Sequence, residues 1–211
     1  DDPEILGILI DYPSGQKGKK LEGSVVLKSS SAETYKRSDV VVGFIGAGNY
    51  ASRTLIPAFK KSNSLMKVLI SDKGISGHHH SKKNDFYEAS TVTDTVFDDP
   101  DINTVVIATR HNLHAQQVLL ALKNNKNIFV EKPLAITIEE IEEIDRAYKN
   151  IEQPPRLMVG FNRRFSPYIV RMRELLSKEN EPKSVIMTIN AGFIPKDHWT
   201  QDPHIGGGRI I

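Results

Sequence analysis

Residues 40–51, Val-Val-Val-Gly-Phe-Ile-Gly-Ala-Gly-Asn-Tyr-Ala, constrain this chain more than any other stretch. The run opens apolar and rich in β-branched residues, which predicts a central strand buried on both faces. It breaks at Gly46-Ala47-Gly48 and re-emerges as a helix, the order a dinucleotide-binding βαβ unit requires. Gly46 makes the tight turn, Gly48 lets the backbone approach a pyrophosphate, and the small Ala51 lets helix and strand pack closely. Asn49 and Tyr50, in the first turn of the new helix, belong with these glycines as cofactor-binding candidates. Phosphate would rest over that helix start, where unpaired N–H groups and the positive dipole end favour an anion.

Composition narrows the class. The 211 residues suffice for one domain and part of a second. With 39% hydrophobic and 26% charged residues the chain reads as an ordinary soluble globular protein. A net charge of +2 argues against a nucleic-acid partner. No apolar run approaches the roughly 20 residues that span a bilayer, so no membrane role is expected. Cysteine is absent, which excludes disulfides, thiolate catalysis and thiolate zinc sites and agrees with a cytoplasmic location.

Residues 1–38 do not read as the start of a domain. Residues 5–10 and 25–27 are plausible short strands, with a basic turn at 13–20 between them and Ser29-Ser30-Ser31 as a linker after them. They form either a surface hairpin on the next domain or the tail of an upstream module.

The following alternation predicts a doubly wound α/β domain over 39–160. A first helix spans about 49–61, with Ala51, Leu55, Ala58 and Phe59 inward and Pro57 disturbing its hydrogen bonds. A second strand, 67–71, ends in Asp72, at the distance where an acid hydrogen-bonds the adenosine ribose. Asp72 favours NAD; the adjacent Lys73, which could accept a 2′-phosphate, keeps NADP open. His78-His79-His80 cannot converge on one ion from a helix or strand, so a solvent-exposed helix start is expected and no metal site. Strands at 104–108, 127–130 and 157–159 follow. The first releases the loop Thr109-Arg110-His111-Asn112-Leu113-His114, and a helix with Ala115, Val118, Leu119 and Leu122 inward. The second delivers Glu131-Lys132-Pro133 to the same rim, where open α/β sheets hold ligands. Thr137 and Glu140 form a capping box for a helix with an Ile138, Ile141, Ile144, Tyr148 stripe.

Beyond Gly160 the pattern changes. Ser166-Pro167 should cap a helix with Ile169, Val170, Leu175 and Leu176 on its apolar side, and 184–191 reads as a long strand. Residues 192–211 are loop-like. A lone helix and strand are too little for a core, so 161–211 is expected to be the truncated beginning of a second α/β domain with an open sheet. On the rim, Lys132 is placed to act on a substrate hydroxyl if desolvation or a neighbouring cation loosens its proton.

Gly43 to Gly48, Glu131-Lys132-Pro133 and Gly160-Phe161-Asn162-Arg163-Arg164-Phe165 together resemble the Gfo/Idh/MocA family of glucose–fructose oxidoreductase and inositol dehydrogenase. The resemblance implies a Rossmann domain followed by an α/β domain on a large open sheet, through which members associate as homo-oligomers. It also implies NAD or NADP as cofactor and a sugar, polyol or cyclitol alcohol as substrate. By it, Lys132 matches the catalytic lysine that exchanges the hydroxyl proton during hydride transfer, and Gly46, Gly48, Asp72 and Glu131 fall to the cofactor. Thr109 and His114 match a rim loop that usually reads Thr-Pro-Asn-x-x-His and lies against the nicotinamide half; Arg110, kept with them as a cofactor-binding candidate, and His111 are departures from it. Asn162, Arg163 and Arg164 match the cleft-lining segment, as substrate contacts or as domain anchors. Thr109-Arg110-His111 and Asp197-His198-Trp199 look like the subset fused behind a zinc-alcohol-dehydrogenase-like module. The family's catalytic histidine is expected downstream of Ile211, and Asp197 and His198 are not that motif. The alternative function is a non-catalytic nucleotide-binding module acting as sensor or scaffold.

Overall fold

The computed structural model describes residues 23–28, 36, 39–177, 181–190 and 192–208. Seven strands form one sheet in the order β1-β4-β3-β2-β5-β6-β7. They are β1 (Ser24–Val26), β2 (Val41–Ile45), β3 (Leu65–Ile70), β4 (Glu88–Ser90), β5 (Thr104–Ile107), β6 (Asn127–Val130) and β7 (Leu157–Val159). All pairings are parallel except that of β1, which runs antiparallel to β4 as the sheet edge, Ser24 opposite Ser90. The strand expected at 5–10, the turn at 13–20 and the linker at 29–31 lie outside the described residues.

Alternation along β2 explains why both faces are covered. Val41 and Ile45 point to one layer, with α3 (Asp94–Asp98), α4 (His114–Lys123) and α5 (Ile138–Lys149); Val42 and Phe44 point to the other, with Leu55, Ile56 and Phe86. Phe44 meets Phe59 and Phe86 edge-on at centroid distances of 5.5 and 6.1 Å, and Phe59 continues to Phe129 at 5.6 Å. The order of sequence reverses between β2 and β5, so the carboxyl ends of these two strands frame the switch-point crevice.

The helix after the glycines carries a π-helical turn, Ala51–Leu55, before α1 (Ile56–Lys61), and Ile56 N–H donates to Ala51 O. Pro57 has no N–H to offer, and the wider turn just before it absorbs the defect. The extra residue rotates the inward face: Ile56 is 0% exposed, whereas Ala58, expected inside, is exposed. The three histidines sit mid-way along α2 (Gly74–Lys83) rather than at its start, with His78 and His79 exposed. The Thr137–Glu140 capping box forms, and on α5 Ile144 is buried while Ile138 and Ile141 stay exposed.

The strand expected at 184–191 does not form over its described residues, 184–190, and Ile186 is 94% exposed. Strand propensity reports how a side chain fits a pleated surface, and without a neighbouring strand the ladder has nowhere to form. Ser166 caps α6 (Pro167–Leu176), accepting from Ile169 N–H, yet no residue of α6 is buried. No helix among the described residues is long and apolar enough to cross a membrane.

Candidate functional site

A crevice of about 990 Å³ opens over the carboxyl ends of β2, β3, β5 and β6. Each strand delivers its next residues to the wall: Gly46 after β2, Ser71-Asp72 after β3, Ala108-Thr109 after β5 and Glu131-Lys132 after β6. Gly46 has φ +104°, and a Cβ there would overlap the Ala108 carbonyl oxygen and lie 2.7 Å from Ala108 C. Ala108 cannot yield, because its N–H donates to Ile45 O at 2.8 Å. A Cβ on Gly48 would meet nothing within 4 Å, so the loop backbone stands open to the crevice there. Ala51 is buried at the helix–sheet junction.

Asp72 lines the crevice beyond the glycine turn; Lys73, the N-cap of α2, does not. Asn49 and Tyr50 line it from the helix start. Tyr50 Oη accepts from Asn162 Nδ2 at 2.7 Å, which ties the phosphate-side helix to the segment after β7. Asn162 therefore reaches the crevice, whereas Arg163 and Arg164 do not line it, and neither forms an ion pair among the described residues.

His114 joins two walls. It is 0% exposed, with Nδ1 2.6 Å from Pro133 O and Nε2 3.2 Å from Thr109 O. Burial pushes its pKa below the usual imidazole value, opposed by the Pro133 and Thr109 carbonyls and assisted by the Lys132 charge. Thr109 Oγ1 donates to Gln117 Oε1 at 2.8 Å, fixing the loop from inside. Lys132 is exposed on the crevice wall and precedes a cis peptide to Pro133. Burial raises the pKa of the Glu131 carboxyl, with Lys132 opposing.

The rim loop also holds a wall that sequence reasoning did not assign to the site. Trp199, Thr200 and Ile205 line the crevice from the far end of the chain. His111 Nδ1–H donates to Gly206 O at 2.7 Å, and Asn112 N–H donates to Ile205 O at 3.1 Å. The His111 ring meets Trp199 edge-on at 4.8 Å, and Arg110 Cζ lies 6.0 Å from the indole centroid. Thr91 and Thr93 complete the Asp72 side. Within the sequence, Asp197-His198-Trp199 was a signal of kinship, but no periodicity links it to residue 111.

The family model for oxidoreductases with an NAD-binding Rossmann fold, GFO_IDH_MocA, matches residues 40–161. The chain belongs to this family. Among curated relatives, 1,5-anhydro-D-fructose reductase of Ensifer adhaerens is 29% identical over 175 residues, 80% of this chain and 51% of that protein. Myo-inositol dehydrogenase of Lactobacillus casei, solved with NAD(H) and myo-inositol, superposes with TM-score 0.61 at 25% identity, covering 66% of this chain and 42% of that one. A 3-ketoreductase of Actinomadura kijaniata, solved with NADP and TDP-benzene, shares the fold with TM-score 0.65 at 18% identity over 81% and 52% of the two chains. The chain thus spans about half the length of the relatives it matches. Its crevice fits the family's dinucleotide. The open backbone at Gly48 leaves room for a pyrophosphate, and Asn112 Oδ1 and Glu131 Oε1, both on lining residues, are buried with no hydrogen-bond partner among the described residues.

A pH dependence of stability follows from His114. An unfolded histidine takes its proton near pH 6.5, before this buried one does, so the unfolded state binds more protons below that pH. The histidine's contribution is complete above about 6.5 and declines as pH falls toward the depressed folded value, by up to about 1.4 kcal/mol per pH unit for a full proton. His111, also lowered first by burial, adds in the same sense, while the raised Glu131 works against both. Urea midpoints should drop between pH 7.5 and 5.5, and His114→Gln should flatten that drop. Equal slopes for wild type and variant would remove His114 as the titrating group.

Proposed function

We propose that this chain carries the cofactor-binding half and the catalytic lysine of an NAD-dependent dehydrogenase acting on a CH–OH carbon of a sugar, polyol or cyclitol. The observation that supports it is that the glycine turn, Asp72 and Lys132 open onto one crevice. Gly46, Gly48 and the helix start at Asn49 and Tyr50 hold the pyrophosphate through backbone N–H groups, and Asp72 accepts from the adenosine ribose hydroxyls. Nicotinamide, when bound, supplies the hydride acceptor or donor. Lys132 exchanges the proton of the substrate hydroxyl at Nζ, with Thr109, Arg110, His114 and Glu131 shaping the nicotinamide end and Asn162 the substrate end. Arg163 and Arg164 stand aside, and contribute only if the second domain brings substrate to them.

NAD is favoured over NADP because Asp72 faces the crevice and Lys73 does not. Fluorescence titration should therefore show tighter binding of NADH than of NADPH, and Asp72→Ala should weaken NADH by about tenfold or more, the weight of hydrogen bonds to a carboxylate. No NADH binding at all would sink the reading. Binding without turnover of any alcohol in a panel of sugars and cyclitols, in the full gene product, would favour the sensor or scaffold alternative. We further read 1–38 as a segment that follows an upstream zinc-alcohol-dehydrogenase-like module and lends the sheet its edge strand through Ser24–Val26, 39–160 as the Rossmann domain and 161–211 as the start of the substrate domain. On this reading the protein is cytoplasmic and associates through the second-domain sheet. The gene sequence flanking these residues tests the domain arrangement, and sedimentation of its full product tests the association.

A further inference from the structure

The turn 199–206 is a stiff unit carried by an exposed segment. Asp202 O accepts from Gly206 N–H at 2.8 Å and from Ile205 N–H at 3.3 Å, and Trp199 O accepts from Asp202 N–H at 3.3 Å. A Cβ on Gly206 would lie 2.6 Å from Thr200 O, so the turn closes on itself without space for a side chain. Residues 181–190, which lead to it, are exposed and form neither helix nor strand. Among the described residues, two hydrogen bonds fasten this unit to the sheet domain. They come from consecutive rim residues, His111 and Asn112, to the consecutive carbonyls of Gly206 and Ile205. The Asn112 bond is backbone and survives substitution of its side chain. His111 therefore supplies the part of the clamp that the side chain controls, and its ring also braces Trp199 edge-on.

We propose that His111 is a positioning residue: it clamps the 199–206 turn to the rim and so sets Trp199, Thr200 and Ile205 as the wall facing a ligand in the crevice. The clamp itself stands on the His111–Gly206 bond, the Asn112–Ile205 bond and the ring contact with Trp199. Its consequence for catalysis rests on the dehydrogenase reading. With the wall docked, Trp199, Thr200 and Ile205 face the same crevice as Lys132, and a ring held there has a fixed aromatic neighbour.

The test uses the full chain and its single tryptophan, which makes all indole emission a report on Trp199. In the protein without cofactor, His111→Leu should shift that emission to the red and raise its acrylamide quenching. His111→Asn, whose amide N–H can still donate to Gly206 O, should restore the wild-type spectrum. Far-UV circular dichroism unchanged in both variants assigns the change to the turn and not to unfolding. In the full gene product, His111→Leu should raise KM for the alcohol by about three- to tenfold, the weight of one hydrogen bond, with kcat less affected and His111→Asn intermediate. Wild-type emission and quenching in His111→Leu, or equal loosening in Leu and Asn variants, overturns the clamp. A wild-type protein whose tryptophan emission no NADH concentration alters counts against the cofactor reading, and the quenching comparison still decides the clamp.

Discussion

Gly46→Ala should unfold far more readily than the wild type, while Gly48→Ala, two residues on, should leave stability unchanged. At Gly46 the methyl group would occupy the space of the Ala108 carbonyl, at a φ of +104° that L-residues rarely adopt. Neither side can yield. Gly46 N–H donates to Ile70 O at 2.9 Å and Ala108 N–H to Ile45 O at 2.8 Å, so the colliding backbones are each held by the ladders of β2, β3 and β5. Strain at such a dihedral and a backbone overlap together cost about 3 kcal/mol or more, a large share of a domain's net stability. At Gly48 the methyl group meets no protein atom, and its φ is not positive, so stability should stay within about 0.5 kcal/mol or rise slightly. Affinity behaves differently: Gly48→Ala places its methyl where the pyrophosphate approaches, and NADH binding should fall although the fold is intact. Urea midpoints and NADH titrations of the two variants read these effects separately. A stable Gly46→Ala would contradict the packing of the turn; undiminished NADH binding by Gly48→Ala would move the phosphates elsewhere.

These glycines were legible in the sequence because the requirement is local. A strand, a turn and a helix follow one another within a dozen residues, and each constrains the next through the chain itself. The same holds for β2 and β5, whose apolar runs are buried on both faces, for β6, which buries Ile128 and Val130, and for the Thr137–Glu140 box. What escaped is non-local or depends on one backbone defect. Ile56 replaces Ala58 in the core because a π turn ahead of Pro57 adds one residue to the helix, and a 3.6-residue period cannot show where a proline's missing donor will be absorbed. Residues 184–191 have the composition of a strand, but pairing is a property of the neighbour. Trp199, Thr200 and Ile205 reach the crevice through bonds that span 93 and 95 residues, Asn112 to Ile205 and His111 to Gly206, and side-chain pattern carries no information over that separation. The lining of the crevice was therefore legible where strand ends deliver it and missed where a distant turn closes it.

Lys132 belongs to the legible part, and its removal is the sharpest chemical test. Its backbone is fixed from both sides: Glu131 N–H donates to Ile107 O at 2.9 Å, and Pro133 O lies 2.6 Å from His114 Nδ1. The side chain is exposed at the crevice and packs in no core, so Lys132→Met should change stability by no more than about 0.5 kcal/mol. An ammonium that exchanges a proton with the substrate hydroxyl contributes only while that proton is moving, so its loss should lower kcat and kcat/KM together. The expected fall in the full gene product is about 10²- to 10⁴-fold, with the dissociation constant of NADH unchanged. Lys132→Arg keeps the charge but holds its proton too tightly to exchange it near neutrality, so it should not rescue turnover. If Lys132→Arg restores kcat, the residue acts as a fixed positive charge and not as a proton carrier. Parallel loss of NADH affinity and rate would instead make Lys132 a cofactor-binding group.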